Sequence, residues 1–161
     1  MKILITGGTS ATALKVLKAF NDHQIILADY GDVPVLSSAA YKLMSLGERN
    51  DDTLAHTILN NCLDLVVDAV LPLHQFEIDA IAKAEVLFNE FNIQVLLPKR
   101  EILGVYYTNG EINKAEDFVV FINGEIIFTT NENHFVPLQG KGENLSGAFY
   151  SHDQKLSLVT I

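Results

Sequence analysis

The sequence predicts an α/β chain: a wound, mainly parallel sheet followed by a small antiparallel β unit. Short apolar runs at Ile3–Ile5, Ile25–Ala28, Leu65–Leu71 and Ile93–Leu97 alternate with stretches of helical period, the pattern of strand, crossover helix and strand. The first run breaks at Gly7-Gly8, as a strand does when it turns sharply into a helix. Beyond Pro98 the helical period gives way to β-rich pieces punctuated by Asn-Gly.

The elements follow in order. Lys2-Ile3-Leu4-Ile5 reads as a strand, and Thr9 or Ser10 as the cap of a helix from about 11 to 21 with Leu14, Leu17 and Phe20 facing the sheet. Gln24 to Asp29 is a second strand, residues 30 to 40 a loop, and Tyr41 to Leu46 a short third strand. Asn50-Asp51-Asp52 opens a helix near 53 to 61 whose stripe is Leu54, Ile58, Leu59 and Cys62. Leu65 to Leu71 is nearly continuous in apolar character, as a central parallel strand covered on both faces should be. One helix is expected from about 74 to 89 with Ile78, Ile81, Ala82, Phe88 and Phe91 inward, and a fifth strand at Ile93 to Leu97. About five strands wound with helices give a Rossmann-like domain over residues 1–98.

Residues 99–161 read as a hairpin-rich appendage. Asn109-Gly110 and Asn123-Gly124 are both followed by Glu-Ile, and Asn-Gly is the favoured two-residue hairpin turn. Pairing about Asn123-Gly124 sets Ile122 opposite Glu125 and is expected to place Val119, Phe121, Ile126 and Phe128 on one side. An apolar side of that kind must cover something, and a second copy pairing through the 118–130 hairpin is one candidate. Residues 131–147, with Gly140-Lys141-Gly142, read as polar loop. Leu145–Tyr150 and Leu156–Ile161 read as the last strands.

Composition excludes several classes. Of 161 residues, 48% are apolar and 19% charged, so the chain should be ordered and able to bury a core. The formal charge is −9, and neither part is basic: residues 1–98 hold 6 basic against 12 acidic side chains and residues 99–161 hold 5 against 8. Nucleic acid is therefore not an expected partner. The single cysteine, Cys62, lies on an apolar stripe and reads as a buried thiol, which leaves no intramolecular disulfide and no multi-cysteine metal site. No apolar run is long enough to span a membrane and no signal-peptide form is present, so a cytoplasmic location is expected. His23, His56, His134 and His152 are scattered without metal-ligand spacing.

Two stretches are candidate binding elements. Gly7, Gly8, Thr9 and Ser10 form a strand-to-helix turn of the kind that presents N–H groups to a phosphate or carboxylate. A dinucleotide fingerprint would fall on Gly7, Ser10 and Ala13, so serine stands where a pyrophosphate needs close backbone approach, and a small anion fits the turn better than a dinucleotide. Asp29 closes the second strand about 20 residues on, either as a ribose-binding carboxylate or as a turn cap. His74, Gln75 and Glu77 begin a helix beyond the fourth strand, either in the same crevice or as ordinary helix-start residues. No catalytic residue and no metal ligand is assigned, and the cofactor candidates are a nucleotide or a small anion.

Residues 1–98 resemble the N-terminal preATP-grasp domain of ATP-grasp ligases such as the carbamoyl-phosphate synthase large chain and biotin carboxylase. The resemblance rests on Lys2-Ile3-Leu4-Ile5-Thr6-Gly7-Gly8-Thr9-Ser10, Leu27-Ala28-Asp29, Val67-Asp68-Ala69-Val70-Leu71-Pro72 with Glu77 downstream, and Ile93-Gln94-Val95-Leu96-Leu97-Pro98. It implies a domain that helps hold an acyl or carboxylate substrate while a separate ATP-grasp domain binds ATP and Mg²⁺. Residues 99–161 resemble no such domain. The expectation is a stand-alone preATP-grasp-like protein, not catalytic alone, that binds a small anionic ligand or serves as a subunit beside an ATP-grasp partner in a split ligase. The alternatives are an NAD(P)- or nucleotide-sugar-binding Rossmann protein of epimerase or oxidoreductase type, suggested by Thr6-Gly7-Gly8 and Asp29, and a non-catalytic assembly module.

Overall fold

A computed structural model of the chain describes residues 1–107, 117–131 and 135–161. The expected turn at Asn109-Gly110, and His134, lie outside the described residues. The chain divides into two compact units, Met1–Val95 with Thr160–Ile161, and Leu96–Val159.

The first unit is a Rossmann-like α/β layer built on a six-stranded sheet. Its strands are β1 (Lys2–Ile5), β2 (Gln24–Asp29), β3 (Leu36–Ser37), β4 (Lys42–Ser45), β5 (Ala69–Leu71) and β6 (Gln94–Val95), in the order β3-β4-β2-β1-β5-β6. All pairs are parallel except β3 with β4. The two-residue β3 is an edge strand that the loop reading of residues 30–40 did not foresee. Without it, the chain runs outward through β2 and β4 and then returns to the other side of β1, which puts the reversal of strand order at β1. Ile3, Leu4, Ile5, Leu27, Val70 and Leu71 are buried on both faces of this centre.

Helix α1 (Ala11–Leu17) continues as a 3₁₀ turn over Lys18–Phe20. It buries Thr12, Ala13 and Val16, and Phe20 in the following turn is buried as expected, whereas Leu14 is 45% exposed, so within the helix the inward face is one residue out of phase with the expected one. Helix α2 (Leu54–Asp64) buries Leu54, Ile58, Leu59 and Cys62, the stripe the period predicts, and burial pushes the Cys62 thiol up to about 12. It runs further than expected and consumes the start of the apolar run: Val66 turns left-handed at φ 51 and is 77% exposed, leaving only Ala69–Leu71 as strand. The expected single helix at 74–89 is two, α3 (Gln75–Lys83) and α4 (Glu85–Glu90), broken at Ala84. The break rotates Phe91 outward to 48% exposure, while Ile78, Ile81, Ala82 and Phe88 remain buried.

The second unit begins with a helical turn, α5 (Arg100–Leu103), and a 3₁₀ turn at Gly104–Tyr106, where β structure was expected. Its sheet comprises β7 (Asp117–Ile122), β8 (Glu125–Thr129), β9 (Gly147–His152) and β10 (Lys155–Leu158), all antiparallel in the order β10-β9-β7-β8. Asn123 and Gly124 take φ of 51 and 78, the left-handed pair that a tight primed turn requires, and Ile122 faces Glu125. A register shift then sets Phe128 opposite Val120 and stacks it near Phe118, with ring centroids 5.1 Å apart. The bulge therefore splits the expected apolar side, putting Phe121 and Ile126 on one face and Phe128 on the other.

The stretch read as polar loop contains helix α6 (Phe135–Glu143). Pro137 stands in its first turn, where a missing N–H costs little. Gly140 is buried flat against Phe121: a Cβ at 140 would lie 2.0 Å from that ring. The hairpin docks onto the helix end through Gly124 N–H to Leu145 O, 2.7 Å. In an open helix Gly→Ala stabilises by about 1 kcal/mol, but overpacking a buried contact costs about 1–3 kcal/mol. Gly140→Ala should therefore lower the urea midpoint, with the loss in the second unit's sheet; an unchanged or raised midpoint by circular dichroism would contradict this packing.

Candidate functional site

The carboxyl ends of β1, β2 and β5 converge where the strand order reverses, and the side chains just beyond them form one hydrogen-bonded cluster. Asp29, last residue of β2, is buried. Its Oδ2 accepts the Thr9 N–H at 3.2 Å and the Thr9 hydroxyl; its Oδ1 accepts the Tyr30 N–H at 3.0 Å and lies 2.8 Å from Nε2 of His74. Burial would raise its pKa, but these bonds outweigh it and hold Asp29 below the ordinary carboxylate value.

Glu77, in the first turn of α3, is 0% exposed. Two neutral hydroxyls donate to it, Thr6 to Oε2 and Tyr30 to Oε1 at 2.7 Å, and the His74 backbone bonds it as well. Thr6 is in turn fixed by the Leu73 N–H at 2.8 Å. For Glu77 burial dominates over these bonds and raises its pKa; burial and the Glu77 charge likewise push the Tyr30 phenol up. The aromatic wall is continuous. Tyr30, His74 and Phe76 lie within 5.8 Å of one another by ring centroid, His74 stacks on Phe76 at 4.7 Å, and the Arg49 guanidinium covers Phe76 at 3.6 Å while pairing with Asp51.

The glycine turn differs from the expected anion cradle. Gly8 N–H bonds Ala28 O, Thr9 N–H bonds Asp29, Ser10 N–H bonds Gly7 O, and Ser10 Oγ caps Ala13 N–H at 3.1 Å. The donors of three consecutive residues are thus consumed within the chain, and the carboxylate of Asp29 stands where an external anion would. Gly8 is needed for packing, since a Cβ there would meet Ala28 N at 2.6 Å. Gly7 takes φ +66, and a Cβ on it would lie 2.3 Å from Cδ1 of Ile161. Ile161 is held in place by its N–H to Leu73 O at 2.8 Å and by the Gln75 N–H to its own carbonyl at 3.2 Å.

The structure thus brings Thr9, Asp29, His74 and Glu77 into one cluster, gives Gly7, Gly8 and Ser10 roles in building the turn, and leaves the exposed Gln75 with only its backbone N–H engaged there. Sequence reasoning missed Thr6, Tyr30, Arg49 and Phe76. Thr6 and Tyr30 carried a usable signal, since each directly follows a predicted parallel strand, where ligand crevices open. Among the described residues no group of three or more His, Cys, Asp or Glu could hold a metal ion, and no helix is long and apolar enough to cross a membrane.

No protein-family model matches the chain. No curated protein matches it either. Among solved structures it is similar to dTDP-glucose 4,6-dehydratase from Bacillus anthracis str. Ames, in complex with NAD, at 11% identity and a TM-score of 0.37. The alignment covers 88% of this chain and 47% of that one, so the chain spans less than half the dehydratase's length.

The two carboxylates predict opposite pH responses. Glu77's folded pKa lies above its ordinary value of 4.5, so its contribution to stability is present below that pH and is lost as pH rises through the folded value. A glutamine can accept from one hydroxyl and donate to the other without a buried charge. Glu77→Gln should therefore gain stability over the wild type progressively as pH rises above 4.5 and through the folded value. Asp29's folded pKa lies below its ordinary 3.8, so its contribution is present above that pH and is lost as pH falls through the folded value. Asp29→Asn should cost about 1–3 kcal/mol at pH 7 and progressively less in acid. Thermal melts across pH check both signs.

Proposed function

We propose that residues 1–98 form a ligand-holding module of preATP-grasp type, which receives a small anionic molecule at the carboxyl edge of the parallel sheet and works beside an ATP-grasp domain outside residues 1–161. The observation that carries this reading is the cluster at that edge. Asp29 fixes the His74 ring through Nε2, which leaves Nδ1 as the ring nitrogen not committed to Asp29, and Arg49 lies across the adjoining Phe76 ring. A positioned imidazole and a guanidinium on one aromatic wall suit a carboxylate. The resemblance of the strand ends at Thr6 to Ser10, Asp29 and Glu77 to the preATP-grasp pattern supports the same assignment.

A dinucleotide is the weaker reading. Its pyrophosphate needs the turn donors that Ala28, Asp29 and Gly7 already take, and its ribose needs a carboxylate whose two oxygens already serve Thr9, Tyr30 and His74.

Acetate, bicarbonate and aspartate, each at 10 mM, form the test panel, with NAD(H) as the competitor. A ligand with a Kd near 1 mM adds about 1.4 kcal/mol, or roughly 3–5 °C in Tm for a chain of this size. At least one carboxylate should give that shift, and both His74→Ala and Arg49→Ala should abolish it. Stabilisation by NAD(H) with no carboxylate response, or a carboxylate shift that survives His74→Ala, would overturn the assignment.

A further inference from the structure

The first unit has a second opening, at the opposite edge of its sheet. A cleft of about 220 Å³ is lined at the amino ends of β1 and β2 and along the turn that leads into β4. Lys2, His23, Tyr41 and Lys42 line it together with Ile26 and Ser38, and none of its ten lining residues is acidic. In a chain with 20 acidic and 11 basic residues, a wall carrying two lysines, a histidine and no carboxylate is a local reversal of charge. Lys2 donates its ammonium to the carbonyl of Leu65, and Asp68 takes the Lys2 backbone N–H, not its side chain.

The cleft is also built. Ser38 Oγ accepts the N–H groups of Ala40 and Tyr41 and donates to Tyr41 O, which fixes the 38–41 turn and the start of β4. Lys42 is held in register between Ile26 of β2 and Ser37 of β3. Nδ1 of His23 is buried and has no hydrogen-bond partner among the described residues.

We infer that this amino-edge cleft binds a small organic anion, an oxyanion carried on a compact apolar body, with Lys2 and Lys42 meeting the charge and Ile26 and Tyr41 the body. The size sets the class. Pockets for drug-sized ligands run to about 300–1,000 Å³, so 220 Å³ suits a fragment and excludes a dinucleotide. The site is separate from the carboxyl-edge cluster and does not depend on what that cluster binds.

Phenyl phosphate and inorganic phosphate, titrated to 20 mM into ¹⁵N-labelled full chain, are the probes. Phenyl phosphate should move the amide signals of Gln24–Ile26 and Ser38–Lys42, and should bind at least threefold tighter than inorganic phosphate. Lys42→Glu should weaken it at least tenfold and the milder Lys42→Gln about threefold, with the amide spectrum elsewhere unchanged. No shift at this edge, equal binding of the two probes, or affinity indifferent to Lys42→Glu would each overturn the inference. Shifts confined to Thr9, Tyr30 and His74 would place binding at the other edge and overturn it as well.

Discussion

The Asp29 carboxylate is the constraint around which the first unit's carboxyl edge is arranged. A buried negative charge is tolerated only when it is bonded on every side, and Asp29 draws its partners from three different segments: Thr9 from the glycine turn, Tyr30 from its own strand end, and His74 from the loop after β5. Those segments lie far apart in sequence, and the parallel order of β2, β1 and β5 is what makes them neighbours. One side chain thus converts a topological coincidence of strand ends into a fixed constellation. Within the glycine turn the carboxylate takes the Thr9 N–H and hydroxyl, while the Gly8 and Ser10 N–H groups bond the carbonyls of Ala28 and Gly7.

Gly8 shows how an apparent ligand motif can arise from packing alone. With Ala28 N only 2.6 Å from where a Cβ would stand, the glycine is required by the approach of the turn to β2, whatever binds or does not bind nearby. Gly7 is required by its positive φ and by the Ile161 side chain lying against it. A Gly-Gly pair after a first strand therefore reports the geometry of the strand–helix corner before it reports a ligand.

Most of the parallel sheet was legible because its strands are short apolar runs with clear stops, and the α2 stripe because Leu54, Ile58, Leu59 and Cys62 keep strict helical spacing. What was not legible depends on contacts distant in sequence. The period of α1 suggested Leu14 inward, yet the helix turns Ala13 and Val16 inward. Gly140 and Gly142 argue against a helix locally, and only the Phe121 ring beneath Gly140 explains why one is there. The bulge in β8 shifts Phe128 by one position, which no alternation pattern foretells. In the cluster, Asp29, His74 and Glu77 were named from their places at strand and helix ends. Tyr30 and Arg49 enter only through side-chain reach, and Ile161 only through the pairing of its backbone with Leu73 and Gln75.

The two carboxylates of the cluster are driven apart by their surroundings. Asp29 has backbone N–H groups and an imidazole bonded to it and is held below the ordinary carboxylate value; Glu77 is fully buried, and that burial outweighs its bonds to the Thr6 and Tyr30 hydroxyls and the His74 backbone and raises its pKa. Packing needs do not account for the difference, since an amide could satisfy Thr6 and Tyr30 at position 77 without the desolvation of a charge. A fold that retains a costly acid at the point where its strand order reverses, beside an imidazole already oriented by a second acid, has the unequal pair from which proton-handling and ligand-gripping sites are made. The hydroxyl of Tyr30 bonds Glu77 while the N–H of the same residue bonds Asp29, so a change of charge on either acid is felt by the other through one residue. That shared residue, and not the glycine turn, is what links the two acids of this edge.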